Sequence, residues 1–130
     1  MTAIDTVQQV LQAYARGDRE GLGALLHPEV TWHGSGPQPL GVELVGVDAV
    51  LEHLLGADHL EDSSMTVHDL LASPTRVAML ARTTGRVGEV SIVNDFVNVI
   101  RVDDDGLVAE VHSYVWDQAG VAAALVAAAG

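Results

Sequence analysis

The sequence predicts an α+β domain in which helices are segregated from a mainly antiparallel sheet. Two patterns carry this prediction. Apolar residues recur at three- and four-residue spacing in three stretches of the first half, and runs rich in β-branched residues, separated by turn formers, fill the second half. A sheet of this kind, strongly curved around a helix, leaves a cavity between the two layers.

The elements follow in order. Ile4, Val7, Val10, Leu11 and Tyr14 mark a first helix that Gly17-Asp18 stops. Residues 19–26 read as a short second helix with Leu22, Leu25 and Leu26 on its apolar side. His27-Pro28 ends it, because the residue before proline avoids the α region. Residues 30–33 form a brief strand, and the glycine and proline of residues 34–39 preclude regular structure. A third helix covers 47–55, with Asp48 in its first turn and Gly56 at its end. Strands over 65–72, 76–86, 89–102 and 107–117 make a meander, turned at Ser73-Pro74-Thr75 and at Asp103-Asp104-Asp105-Gly106. The closing apolar run AGVAAALVAAAG falls short of the about 20 residues that span a bilayer, so it is expected to cap the domain or join subunits.

Composition excludes several chemistries. Eighteen acidic against six basic residues give a formal charge of −12, a field that repels phosphate backbones and anionic lipid headgroups, so neither nucleic acid nor membrane is an expected partner. The chain has no cysteine, which rules out disulfides and thiolate nucleophiles. All six cations are arginine, which rules out lysine Schiff bases and a phosphate-loop lysine. No cofactor is called for. The start, MTAIDTVQQVLQAYARGD, lacks a basic segment followed by an apolar core, so the cytoplasm is the expected location.

The chemistry is expected in VNDFVNVIRVDDDGLVAEVHSYVWD, residues 93–117. Alternation puts Asn94, Phe96, Asn98 and Ile100 on one side of a strand, and Glu110, His112, Tyr114 and Trp116 on one side of its partner. Together these faces are expected to line one pocket, because amides, an imidazole, a phenol and an indole interleave with apolar residues. His112, between Glu110 and Tyr114, titrates near neutrality and is the expected proton-transfer group, with Tyr114 or Asn98 stabilising charge on a substrate oxygen. The bland reading makes His112 a hydrogen-bonded structural group and Tyr114 a packing residue. Trp32, Phe96 and Trp116 offer flat apolar area for a ring-shaped ligand, with core packing the stronger reading. His33, next to Trp32, is expected to face the other way. No metal is expected: His53 and His59 with nearby acids fit no zinc spacing, and the aspartates at 103–105 read as a turn. Ser35 lacks the surroundings of a nucleophile elbow.

The wording VQQVLQAYARGDREGLGALLHPEVTWHG at one end and FVNVIRVDDDGLVAEVHSYVWD at the other, with "GVDAVLEHL" and "VHDLLA" between them, resembles the SnoaL-like, ketosteroid-isomerase-related branch of the nuclear transport factor 2-like superfamily. The resemblance implies one such domain over residues 1–130, folded as a cone-shaped half-barrel of about three helices packed into a curved mixed sheet. It implies an apolar small molecule at the open end and a homodimer through the outer sheet face, where Val93, Val97, Val99, Val111 and Val115 are expected. The tyrosine, aspartate base and neutral acid of ketosteroid isomerases fall at Val10, Gly34 and Asn98. Only Asn98 keeps a hydrogen-bonding group there. The working residues of epoxide hydrolases similar to limonene epoxide hydrolase fall at Trp32, Gly34, Thr84, Arg82 and Tyr114, where the arginine alone persists. The acidic base of SnoaL-type cyclases has Glu110 as its nearest counterpart.

The expectation is therefore a cofactor-independent isomerase, cyclase or hydrolase with His112, Tyr114 and Asn98 catalytic. Tyr14, Trp32, Arg82, Asn94, Phe96, Glu110 and Trp116 are expected to form the pocket. The alternative is a non-catalytic binding or interaction module of the same fold.

Overall fold

The first helix, α1 (Ala3–Arg16), is closed at both ends by local chemistry. Thr2 and Asp5 exchange side-chain to backbone hydrogen bonds in a capping box. Gly17 ends the helix in the left-handed region at φ 64°, which a side chain would resist. The computed structural model describes residues 2–55 and 60–129. After α1 come α2 (Arg19–Gly23), β1 (Leu26–Gly34), β2 (Glu43–Val45) and α3 (Val47–Leu55). Then follow β3 (Glu61–Ala72), β4 (Arg76–Val87), β5 (Val90–Val102), β6 (Val108–Val115) and α4 (Gln118–Ala129).

The six strands form one open, mixed sheet in the order β2-β1-β6-β5-β4-β3. Only β1 and β6 run parallel; every other pair is antiparallel. The α+β class and the curved-sheet architecture hold, with four helices among the described residues where about three are expected. The added helix is α4: the C-terminal apolar run continues from β6 and turns Val121 and Leu125 toward the sheet. Among the described residues no helix is long and apolar enough to cross a membrane.

Two further differences have local causes. The second helix stops at Gly23, and Leu26 already belongs to β1, paired with Val108. The β1–β6 ladder breaks between Leu26 and Thr31, where Pro28 has no amide hydrogen to give. Glu43, Leu44 and Val45 form the short edge strand β2 against His33, Trp32 and Thr31. Gly56, expected at the end of α3, lies outside the described residues, as do Asp58 and His59.

The core joins α1, α2 and α3 to the sheet through Val7, Leu22, Val30, Val50 and Val77, all almost fully buried. Thr6 Oγ1 donates to the Gly106 carbonyl over 3.0 Å inside this core. That bond ties α1 to the β5–β6 turn, where Gly106 adopts φ 79°.

Candidate functional site

A cavity of about 980 Å³ lies between α1, α3, α4 and the inner face of the sheet, at the upper end of the roughly 300–1,000 Å³ common for small-molecule sites. Its walls are mostly apolar, with Val7, Val10 and Leu11 from α1, Val50 and Leu54 from α3, and Met79, Phe96, Ile100 and Val111 from the strands. A few polar groups interrupt them: Tyr14, Ser35, His53, Thr83, Asn94, Asn98 and Ser113. Sparse polar groups on apolar walls orient a ligand that the walls hold by burial.

The strand register decides which expected residues reach this cavity. Residues directly opposite in an antiparallel ladder share a face. Asn98 pairs with Ser113, Phe96 with Val115 and Ile100 with Val111, while Val97 pairs with Tyr114, Val99 with His112 and Arg101 with Glu110. Glu110, His112 and Tyr114 therefore lie on the outer face, opposite to Asn94, Phe96 and Asn98, and the expectation of a single shared pocket is corrected. The cause is a bulge: Val102 pairs with Val108 but Arg101 pairs with Glu110, leaving Ala109 without a partner. One extra residue exchanges the two faces of everything beyond it. Val108 and Val111, three residues apart, both line the cavity for this reason. Val111 and Val115, expected on the outer face, are buried on the inner one.

The remaining expected pocket residues divide. Tyr14, Trp32, Asn94 and Phe96 line the cavity; Arg82, Glu110 and Trp116 do not. Arg82 donates from Nε and Nη2 to both carboxylate oxygens of Asp95 at 2.7 and 3.0 Å, a fork that holds the Asp95 pKa down by hydrogen bonding. Trp116 is 89% exposed and borders a surface depression with Val93, Asp95 and Asp117. His33 faces away from Trp32, as expected, and stacks on His112.

Two amide oxygens on the cavity wall lack a partner. The side-chain oxygens of Asn94 and Asn98 are buried, and neither accepts a hydrogen bond. Asn98 is only 7% exposed as a residue. Buried polar atoms are nearly always paired, because leaving one unpaired costs about 1–3 kcal/mol, which makes these two oxygens exceptions on an otherwise apolar wall.

His53 also lines the cavity, its ring 4.9 Å from that of Trp32. The residue as a whole is exposed, yet desolvation of the ring lowers its pKa below the ordinary histidine value. It stays neutral, with a lone pair available, near pH 7. Its position was readable as the i+3 neighbour of Val50 on the apolar side of α3, but the acids around it point toward a solvated surface instead. Ser113 was hidden by the bulge.

Gly34 closes one familiar route. A Cβ at this position would stand 2.3 Å from the Leu40 carbonyl oxygen, so the loop after β1 packs where an acidic side chain would begin. Val10, Gly34 and Asn98 all lie at the cavity.

Residues 7–111 match the family of the SnoaL-like domain. The chain belongs to that family. A comparison with curated protein sequences found no match. Among solved structures, this SnoaL-like chain is similar to a nuclear transport factor 2-like protein from Burkholderia xenovorans, with a TM-score of 0.77 and 24% identity over 100% of this chain and 98% of the other. It is similar to a steroid delta-isomerase from Pseudomonas aeruginosa, with a TM-score of 0.71 and 26% identity over 97% and 87%. It is also similar to a Mycobacterium tuberculosis protein solved in complex with estradiol-17beta-hemisuccinate, with a TM-score of 0.67 and 20% identity over 87% and 93%. The second and third differ in what their names record, one an isomerase and one a steroid complex, so the shared fold leaves the chemistry to the cavity residues.

Proposed function

We propose that the cavity takes an apolar, oxygen-bearing small molecule of steroid-like size, and that the chain moves a proton on it without a cofactor. The observation that carries this is the buried Asn98 amide, unpartnered at its oxygen on an otherwise apolar wall. In this reading His53 removes a proton from carbon beside a substrate carbonyl, an Asn98 N–H donates to the oxygen as it becomes negative, and the unpartnered Asn98 Oδ1 accepts from a hydroxyl of the ligand. The proton then returns from His53 to a second carbon, completing an isomerisation. Tyr14, Trp32, Asn94 and Phe96 position the ring system. His53 takes the part expected of His112, since His112 and Tyr114 point away from the cavity.

The test uses the two tryptophans, one buried at the cavity and one exposed. In a Trp116→Phe background, estradiol is titrated against Trp32 fluorescence, and turnover of a β,γ-unsaturated ketosteroid is followed by absorbance. Saturable quenching is expected, with turnover that falls about 100-fold or more in His53→Gln while the binding constant changes little. Binding without turnover would favour a second reading, a non-catalytic ligand-binding module, which the lack of a carboxylate among the described cavity-lining residues supports. No binding would overturn both.

We also propose a homodimer through the outer sheet face, where Val93, Val97, Val99 and Tyr114 present apolar area. Tyr114→Glu should then shift the sedimentation mass from two chains to one; an unchanged mass would remove that interface.

A further inference from the structure

The outer face carries a side-chain cluster that the cavity chemistry leaves unused. His33 on β1 and His112 on β6 are partners in the parallel ladder, and their rings lie 4.6 Å apart and 18° from parallel. Glu110, two residues before His112 on the same face, holds Oε1 3.2 Å from His112 Nε2. One ligand atom from each of His33, Glu110 and His112 lies within 4.8 Å of the others. Glu43, the partner of His33 across the β1–β2 ladder, contacts His33 Nδ1.

We propose that His33, His112 and Glu110 bind a divalent transition-metal ion such as Zn2+, in a site separate from the cavity. Two imidazoles and a carboxylate suit such ions, with water completing the coordination. Bonds of about 2.0–2.1 Å in a tetrahedral arrangement put ligand atoms roughly 3.3 Å apart. The His112–Glu110 separation already matches that spacing, and a closure of about 1.5 Å with a turn of the His33 ring supplies the third ligand. Glu43 then acts as the outer carboxylate that fixes the His33 tautomer, with Nδ1 protonated and Nε2 left for the ion.

Three properties support the site. Its ligands come from two hydrogen-bonded strands, so ladder geometry and not a loop sets their spacing. In the single chain their side chains are 31–39% exposed, so an ion enters without unfolding before a second copy covers the neighbouring Val99 and Tyr114. The formal charge of −12 favours a cation near the surface. Arg101 Nε approaches Glu110 Oε1 at 4.0 Å and has to yield that oxygen to the ion. Sequence spacing conceals the cluster, because the two histidines become neighbours only through the β1–β6 pairing, and the expectation of no metal rested on spacing alone.

The test is calorimetric titration of the metal-stripped, tag-free full chain with Zn2+, alongside the visible absorption of bound Co2+. One ion per chain is expected. His33→Thr and His112→Thr should each weaken binding by about tenfold or more, and Glu43→Gln by about tenfold. His68→Ala, at an exposed position on β3, should change nothing. Threonine suits an exposed strand, so the fold should persist, with the metal-free circular dichroism spectrum as the check. Should a threonine variant fail to fold, Glu110→Gln with both histidines intact gives the same reading. The proposal is overturned if Zn2+ binds without saturation, at half an ion per chain, or with equal affinity in the parent and the His112→Thr or Glu110→Gln variant. The readout is metal affinity, so its failure leaves the cavity reading untouched.

Discussion

Asn98 stands directly opposite Ser113 in the β5–β6 ladder, so an amide and a hydroxyl share a stretch of cavity wall otherwise built from Phe96, Ile100, Val111 and Val115. The amide oxygen gains nothing from the fold itself, being buried and unpartnered.

This pairing predicts that Asn98→Leu raises stability while removing function. Leucine is close in size and has no polar atom to desolvate, so the urea midpoint should rise by the equivalent of about 1 kcal/mol. Binding of an oxygenated ligand should weaken about tenfold or more. A variant less stable than the parent would mean that the amide is satisfied in solution and is structural.

The same pair shows what the sequence could convey. Element positions follow from local chemistry, and α3 at 47–55 was readable to the residue because Val50, Leu51, Leu54 and Leu55 repeat at helical spacing. The facing of β6 was not. Extended without a bulge, the Val102–Val108 pairing would set Asn98 opposite His112, which is the arrangement that alternation suggests. Only Ala109 prevents it, and nothing in the wording VAEVHSYV marks alanine as the extra residue. The amphipathic signal was also ambiguous, since Glu110, His112 and Tyr114 alternate with Val111, Ser113 and Val115 whichever face is buried. The C-terminal helix α4 was hidden for a different reason: its run of alanine, valine and leucine has no polar side to reveal a helical period.

Deleting Ala109 therefore tests the register itself. Without it, Val102–Val108 and Arg101–Glu110 become consecutive pairs, and every residue beyond keeps its face. The deletion variant should fold with Asn98 still beside Ser113, detectable as cross-strand contacts by NMR, and with a small loss from the altered strand twist. Contacts between Asn98 and His112 instead would show that the ladder slides.

His53 predicts a pH dependence with a definite sign. Desolvation lowers its folded pKa below the ordinary histidine value of about 6.5, so as pH falls the unfolded chain takes up this proton first. The stability associated with neutral His53 is present above about pH 6.5 and is lost as pH falls through the lower folded value. Melting temperatures of the parent and His53→Gln should run parallel above pH 7 and then diverge, with the parent falling more steeply toward pH 5. The difference curve between the two proteins isolates this ring. A constant difference across that range would show that the ring is solvated.

Gly34 predicts a failed transplant. The resemblance to ketosteroid isomerases sets Gly34 at the position of an aspartate base, which makes Gly34→Asp the direct way to try to confer that chemistry. The Leu40 carbonyl oxygen would lie 2.3 Å from the new Cβ, and the Val42 amide nitrogen 3.2 Å from it. Gly34 N–H also donates to the Val42 carbonyl at 2.7 Å, holding the loop in that position. Backbone cannot rotate aside as a side chain can, so the loop has to shift and part of its bonding is lost. Overpacking of this kind costs about 1–3 kcal/mol, and Gly34→Ala should show most of it, because the clash begins at Cβ. Both variants should melt lower than the parent in urea, and Gly34→Asp should gain no ketosteroid isomerase turnover. An unchanged midpoint with new turnover in Gly34→Asp would show that the loop yields and that a base at this position suffices for turnover even with valine at position 10.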